Sequence, residues 1–384
     1  MTKEYQRLGD YIREVNVRNR ELKVTKLVGL TIDKAFIPSV ANVIGTDLSN
    51  YKVIRREQFA CSLMQVSRDG KIPVAMFEED EAIMSPAYPM FEVVDKKVLL
   101  PQYLMMWFSR SEFDREASYY AVGGVRGSLT WEDFCNMKLP VPSLARQREI
   151  VAEYETLTNR IRLNEQMIAK LEATAQALYR KMFVDEVDKE NLPEGWRRGK
   201  LGEYTMVKSG YAFPSDWWQS DGIPVIKIGD ITNNTIDVKG CDCVDDNKFE
   251  YAKKYVANKG DVVIAMTGAT LGKIAIVPKS RLLVNQRVGL FDLGKIPIER
   301  APFLYWLLQQ DEIQKEIVTV GGDSAQANVS NTDIERIEVT FAAKDSIDDF
   351  NSNAGILLKQ IMKKNEENAK LTELQSLLLA KIGK

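Results

Sequence analysis

The stretch Leu129-Thr-Trp-Glu-Asp133-Phe134 returns as Val329-Ser-Asn-Thr-Asp333-Ile334, and 329 minus 129 is 200. The same offset superposes Tyr103-Leu104 on Phe303-Leu304, Glu112-Phe113 on Glu312-Ile313, Met90-Phe91-Glu92 on Leu290-Phe291-Asp292 and Lys170-Leu171 on Lys370-Leu371. One register held over so many places makes the chain a tandem duplication, with a period near 200 that is far too long for a solenoid. Val122-Gly-Gly124 recurs as Val320-Gly-Gly322, and Arg7-Leu-Gly-Asp10 matches Lys200-Leu-Gly-Glu203; such small drifts are what loop insertions cause. Whatever one half folds into, the other half must repeat.

Each copy opens with short β-prone runs: Lys52-Val-Ile and Gln58 to Gln65 in the first, Ile223 to Ile228 and Asp261 to Met266 in the second. Helical stretches follow, Gln102 to Glu116 and Pro302 to Ile317. Thr130-x-x-Asp133 and Ser330-x-x-Asp333 then have the spacing of a helix N-terminal capping box. Each copy ends in a long helix. In the first, Ile150, Tyr154, Leu157, Ile161, Ile168, Leu171, Ala175, Leu178 and Met182 step by four and three, with Asn164 in the remaining seam slot. That is a coiled-coil heptad. The second repeats it at Phe350, Ala354, Leu357, Ile361, Leu371, Leu378 and Ile382, but Lys364, Asn368 and Gln375 occupy seam slots and Gly355 is expected to interrupt it.

Two seams in one chain pair most simply with each other, and a pseudo-two-fold axis across them makes the pair antiparallel with a mixed module at either end. A helix of about 35 residues is on the order of 50 Å long. Because DNA-binding dimers engage half-sites about 34 Å apart, or a multiple of it, the rod is expected to space two binding modules along a duplex.

Composition narrows the chemistry. The chain has 384 residues, 45% hydrophobic and 28% charged, enough for two or three domains. It starts with a charged MTKEYQRLGDYIREV and holds no run of about 18 apolar residues, so neither secretion nor a membrane span is expected, and the cytoplasm is the expected location. There is no histidine, which removes Ser-His-Asp and Cys-His nucleophile pairs and imidazole bases. The four cysteines, Cys61, Cys135, Cys241 and Cys243, have no paired C-x-x-C spacing, so no metal site is expected. A net charge of -2 still permits a basic face.

The run Gly260 to Val277, GDVVIAMTGATLGKIAIV, nearly spells a phosphate-binding loop. Only three residues separate Gly268 from Gly272, however, Ile274 follows Lys273 where a Ser or Thr must reach Mg²⁺, and a β-branched run replaces the required helix. It reads as strand, turn and strand.

DNA binders need Lys and Arg for phosphates, with amides and hydroxyls for base edges. Turns of the second copy supply Lys208, Ser209, Tyr211, Lys227, Asn233, Asn234, Thr267, Lys273, Asn285, Gln286, Arg287, Ser324, Gln326 and Asn328. The first offers Arg55, Arg56, Arg68, Lys71, Tyr88, Arg126 and Ser128. The acidic Glu78-Glu-Asp-Glu81, Asp242 and Asp245-Asp246 are expected to lie away from a phosphate backbone.

Several of these strings together resemble the specificity subunits of type I restriction-modification systems. They are Leu192-Pro-Glu-Gly-Trp196 with Lys200-Leu-Gly-Glu203, Ile223 to Ile231, the Gly260 to Val277 run, Asn285-Gln-Arg287, Ser324 to Ser330, and Lys138-Leu-Pro-Val-Pro-Ser-Leu-Ala-Arg-Gln147-Arg148. The resemblance spans essentially the whole chain. It implies an α+β fold of two α/β target-recognition domains, at 1-143 and 191-341, separated by coiled-coil helices at 144-190 and 342-384 that pair antiparallel as a pseudo-two-fold duplication. It also implies a non-catalytic subunit reading a bipartite, asymmetric double-stranded DNA target. Two modification subunits would hold S-adenosylmethionine and methylate adenine, with no cofactor in this chain, and restriction subunits are further partners. Docking is implied at Gln147 and Arg148; the second copy, Val339-Thr-Phe-Ala-Ala-Lys-Asp-Ser346, lacks those prolines and the Gln-Arg. No N-P-P-F or D-P-P-Y base clamp and no Walker A string occurs.

Two rival readings stand beside it. A self-contained methyltransferase or nuclease would bind S-adenosylmethionine or metal as an isolated chain. An interaction scaffold would recruit proteins through its coil and bind no DNA, and steeply salt-dependent DNA affinity would exclude it.

Overall fold

The computed structural model describes residues 5–39, 45–64, 66–122, 127–185, 187–322 and 327–383. These form two compact units. The first holds residues up to Arg162 together with Ala369–Lys384, and the second holds Leu163–Asn368.

In the first unit an antiparallel four-stranded sheet runs in the order Ile12–Glu14, Met90–Val93, Phe59–Cys61, Val74–Met76. The second unit repeats it as Val207–Ser209, Val288–Phe291, Val262–Ala265, Ile274–Ile276. In both, a strand near the start of the module pairs antiparallel with the strand that precedes the long helix: Tyr5–Arg7 with Lys138–Pro140, and Arg197–Lys200 with Glu338–Phe341. The duplication read from the sequence is therefore a duplication of topology. The second unit adds a five-stranded sheet in which Ile223–Ile226 and Leu282–Val284 pair parallel. The first instead joins Lys52–Arg55 to Glu81–Met84 antiparallel.

One or two helical stretches are expected in each copy, and the stretches 102–116 and 302–317 each hold two helices. Pro101–Phe108 is followed by Ser111–Ala121, and Ala301–Leu308 by Asp311–Gly321. Arg110 and Gln310, with ψ of 138° and 136°, stand extended between them and break the backbone ladder. Arg110 is held there because its guanidinium stacks 4.1 Å from the Trp107 ring and donates to Leu379 O at 3.1 Å. Both short helices that follow start as their sequences demand. Thr130 accepts from Asp133 N, while Ser330 and Asp333 form a full reciprocal capping box.

The long helices span Leu144–Phe183 and Lys344–Ile382. Missing prolines do not displace the second helix, and Gly355 does not interrupt it. That glycine is buried near Pro302, where a Cβ would meet ordinary van der Waals distance. Within each unit the helix segments run antiparallel. In the first, Ile150 and Val151 share a core with Ile382, and Gln375 donates to Thr158 Oγ1 at 2.7 Å. In the second, Tyr179 and Phe183 pack on Phe350 at 5.5 and 5.3 Å, and Asn164 donates to Asn368 at 2.8 Å. Tyr179 and Phe183 lie outside the heptad seam because they serve a second function, joining Phe303 in the core of the module.

Candidate nucleic-acid interface

Backbone hydrogen bonds draw four polar segments of the second unit to one end of its four-stranded sheet. Gly210 N donates to Val288 O, Gln286 N to Tyr211 O, Met266 N to Arg287 O, Gly268 N to Ala327 O and Val329 N to Met266 O. Isolated bridges join Tyr211 to Asn285 and Thr267 to Asn328. Gly210 is required here, since a Cβ would lie 2.0 Å from Val284 O. The cluster brings together Ser209, Tyr211, Thr267, Lys273, Asn285, Gln286, Arg287 and Asn328. Ser209 Oγ donates to Asn331 Oδ1 at 2.7 Å, which adds an amide that sequence reading missed because it lies inside a short helix. The Gly260 to Val277 run is the expected hairpin, with Val262–Ala265 antiparallel to Ile274–Ile276.

Charge within the cluster is uneven. Lys273 and Arg287 are exposed and have no carboxylate partner among the described residues, and the side chain of Gln286 is likewise exposed. Such groups pay little desolvation to meet a phosphate or a base edge. Lys208 instead pairs with Asp292 at 2.6 Å, and Lys227 pairs with Asp242 while its ammonium sits 3.6 Å from the centre of the Trp218 ring. Tyr211 is half-buried among Phe213, Trp217 and Tyr255.

The first unit repeats this arrangement more sparingly. Val15 N donates to Met90 O, Cys61 N to Pro89 O and Leu129 N to Leu63 O, gathering Tyr88, Ser128 and the chain at Leu63, with Arg68 on the short helix Val66–Asp69 and Lys71 just after it. Lys52 Nζ donates to Tyr88 O at 2.8 Å, and burial pushes its pKa down. Arg68 pairs with Asp69, and Lys71 with Asp33.

Several expectations are corrected. Arg55 and Arg56 sit at the far end of the Lys52–Arg55 ladder from Tyr88, because Lys52 pairs with Met84 and Arg55 with Glu81. They stand in exposed ion pairs with Glu81 and Asp80, so the acidic run expected to lie away from a phosphate backbone sits beside two of the cations proposed for phosphate. Asn233 and Asn234, at φ 48° and 59°, are the left-handed turn between Ile231–Thr232 and Thr235–Ile236. They line a cavity with Ile168, Leu358 and Met362 of the long helices, away from the cluster. Gln147 is fully buried: its Oε1 accepts from Leu100 N, and its Nε2 donates to Val98 O and Pro142 O. It is a structural tie and offers no docking atom, whereas Arg148 is exposed. Arg126, Ser324 and Gln326 lie outside the described residues.

The fold is that of a type I restriction-modification specificity subunit. It matches the crystal structure of the S subunit of such a system from M. genitalium with a TM-score of 0.60 and 13% identity, covering 99% of this chain and 96% of that one. The profile of the family described as "Type I restriction modification DNA specificity domain" matches residues 66–173 and 193–375, and the chain belongs to that family. The MjaVIII specificity subunit of Methanocaldococcus jannaschii is 25% identical over 198 residues, 48% of this chain, and the match spans about half (46%) of that relative's length. The HindI specificity subunit of Haemophilus influenzae is 22% identical over 379 residues, covering 79% of this chain and 81% of that protein.

Proposed function

We propose that this chain reads a bipartite, asymmetric DNA sequence for a type I restriction-modification complex, each module engaging one half of the target. The carrying observation is the loop cluster, built twice at the same end of the same sheet but lined by different side chains. Repeated backbone with divergent polar tips is what two unlike half-sites require. In the second module the amides of Gln286 and Asn328 are the base-reading candidates, and Lys273 and Arg287 the phosphate contacts.

Catalysis belongs to partners on this reading. Two modification subunits bind S-adenosylmethionine and methylate adenine, restriction subunits join them, and this chain supplies register and orientation on the duplex. Among the described residues there is no group of His, Cys, Asp and Glu fit to hold a metal, and no helix long and apolar enough to cross a membrane. We place the complex in the cytoplasm, with the DNA.

The test is to co-express the chain with its cognate modification subunit in a host without other methylases and map N6-methyladenine genome-wide. One split motif with two different halves and a fixed gap is expected. A folded complex that leaves no methylation, or one that methylates a single contiguous site, would overturn the proposal.

A further inference from the structure

Behind each loop cluster half-buried side chains tie the hairpin turn to the helix pair, and the two copies do this with different chemistry. In the second unit Gln314, on helix Asp311–Gly321, donates from its one Nε2 to Gly272 O at 3.1 Å and to Leu308 O at 2.6 Å. Gly272 has φ +82°, and a Cβ there would stand 2.9 Å from Gln314 Oε1, so the turn is pressed against this amide. Two hundred residues earlier stand Asp114, Ile72 and Phe108. Asp114 Oδ1 accepts from Ile72 N at 3.1 Å and from Lys34 Nζ at 2.8 Å, and Lys34 Nζ donates to Phe108 O. The Lys34 and Asp114 side chains are 9% and 13% exposed, a nearly enclosed ion pair on the Phe113 ring. One glutamine and one Lys–Asp pair thus connect equivalent residues, 72 with 108 and 272 with 308, the first through the N–H of Ile72 and the second through the carbonyl of Gly272.

The anchored residue adjoins a cation of the recognition turn in both copies: Lys71 precedes Ile72, and Lys273 follows Gly272. On its other side the second turn is held by Ala327 O and Val329 N. The tie through Gln314 therefore sets how far the turn, with Thr270 and Lys273, stands from the helices behind it. Recognition geometry is sensitive to such placement, because a bidentate base contact tolerates little displacement.

We infer that Gln314, and the Lys34–Asp114 pair, are positioning residues for DNA recognition, each setting the turn of its own module and hence discrimination at its own half-site. This rests on the DNA-reading function proposed above.

The experiment uses the chain in complex with its modification subunit, comparing methylation motifs and competition by duplexes substituted in one half at a time. Gln314→Met removes both donated bonds at similar volume. It is expected to cut discrimination in the half read by the second module about tenfold, the scale of one mismatched base pair, and to leave the other half unchanged. Lys34→Met, which leaves the Asp114 carboxylate without its cation, is expected to relax the other half alone. The double variant Lys34→Met/Asp114→Gln puts one amide in place of the ion pair, its Oε1 free to accept from Ile72 N and its Nε2 to donate to Phe108 O, and is expected to restore discrimination, which a general loss of folding would not do. Gln314→Asn, one methylene too short to span both carbonyls, serves if Gln314→Met does not accumulate. Variants that leave both halves as sharp as wild type, or loosen both together, would overturn the inference. A wild-type complex that yields no split motif would instead remove the DNA-reading assignment beneath it.

Discussion

Asn164 donates its side-chain amide to Asn368 Oδ1 at 2.8 Å in the seam of the two long helices, with Asn164 only 1% exposed. A polar pair at a seam position is weaker than leucine packing but is satisfied in one register only. Asn164→Leu sets an isobutyl group against the Asn368 amide and is expected to cost about 1–3 kcal/mol in chemical denaturation. Asn164→Leu/Asn368→Leu is expected to recover that loss while broadening the helix register, read by cysteine cross-linking along the seam.

Phe350 is fully buried among Tyr179, Phe183 and Trp306. Phe350→Ala is expected to destabilise the second unit by about 3–5 kcal/mol, since truncating a core aromatic loses both transfer energy and packing. Limited proteolysis should then cut within 191–341 well before it cuts the first module.

Gln147 and Arg148 are neighbours in sequence with opposite fates. Gln147→Ala strands Leu100 N and two carbonyls and is expected to lower stability by about 1–3 kcal/mol. Arg148→Ala is expected to stay within about 0.5 kcal/mol of wild type. Thermal unfolding separates the two, and titration with the modification subunit then shows whether Arg148 contributes to docking.

Salt dependence distinguishes the cations. Lys273→Ala and Arg287→Ala, if each removes one phosphate contact, are expected to flatten the slope of log affinity against log salt by about 0.9 apiece. Arg55→Ala and Arg56→Ala, whose charges Glu81 and Asp80 already meet, are expected to leave the slope unchanged. Fluorescence anisotropy of the complex across a salt series reads both.

Burial pushes the Asp261 carboxyl up to about 6, with nearby Asp292 adding to the shift and the Asn258 N–H opposing it. A carboxyl raised in the folded state contributes fully to stability below its ordinary value of 3.8, and that contribution is lost as the pH climbs through about 6. Asp261→Asn keeps an oxygen for Asn258 N without the charge. It is expected to stabilise the chain at neutral pH by on the order of 1–3 kcal/mol and to flatten the dependence below it, as followed by melting temperature against pH.

The duplication, the caps at Thr130 and Ser330, the hairpin around Gly268 and the heptad seams were all legible in the sequence, because each is a local or periodic pattern that the backbone must obey. The division of the helical stretches at Arg110 and Gln310 was not, and at Arg110 a contact from far along the chain, its bond to Leu379 O, helps hold the extended residue. The candidate site shows the same boundary. Sequence alone marked polar turns rich in Lys, Arg and amides, but only the strand register decided that Arg55 and Arg56 face Glu81 and Asp80 while Lys273 and Arg287 have no carboxylate partner among the described residues. Likewise a glutamine is written the same way whether it is buried, as Gln147 is, or exposed, as Gln286 is. Charge pairing and burial depend on residues far apart in the chain, and folding alone brings those into contact.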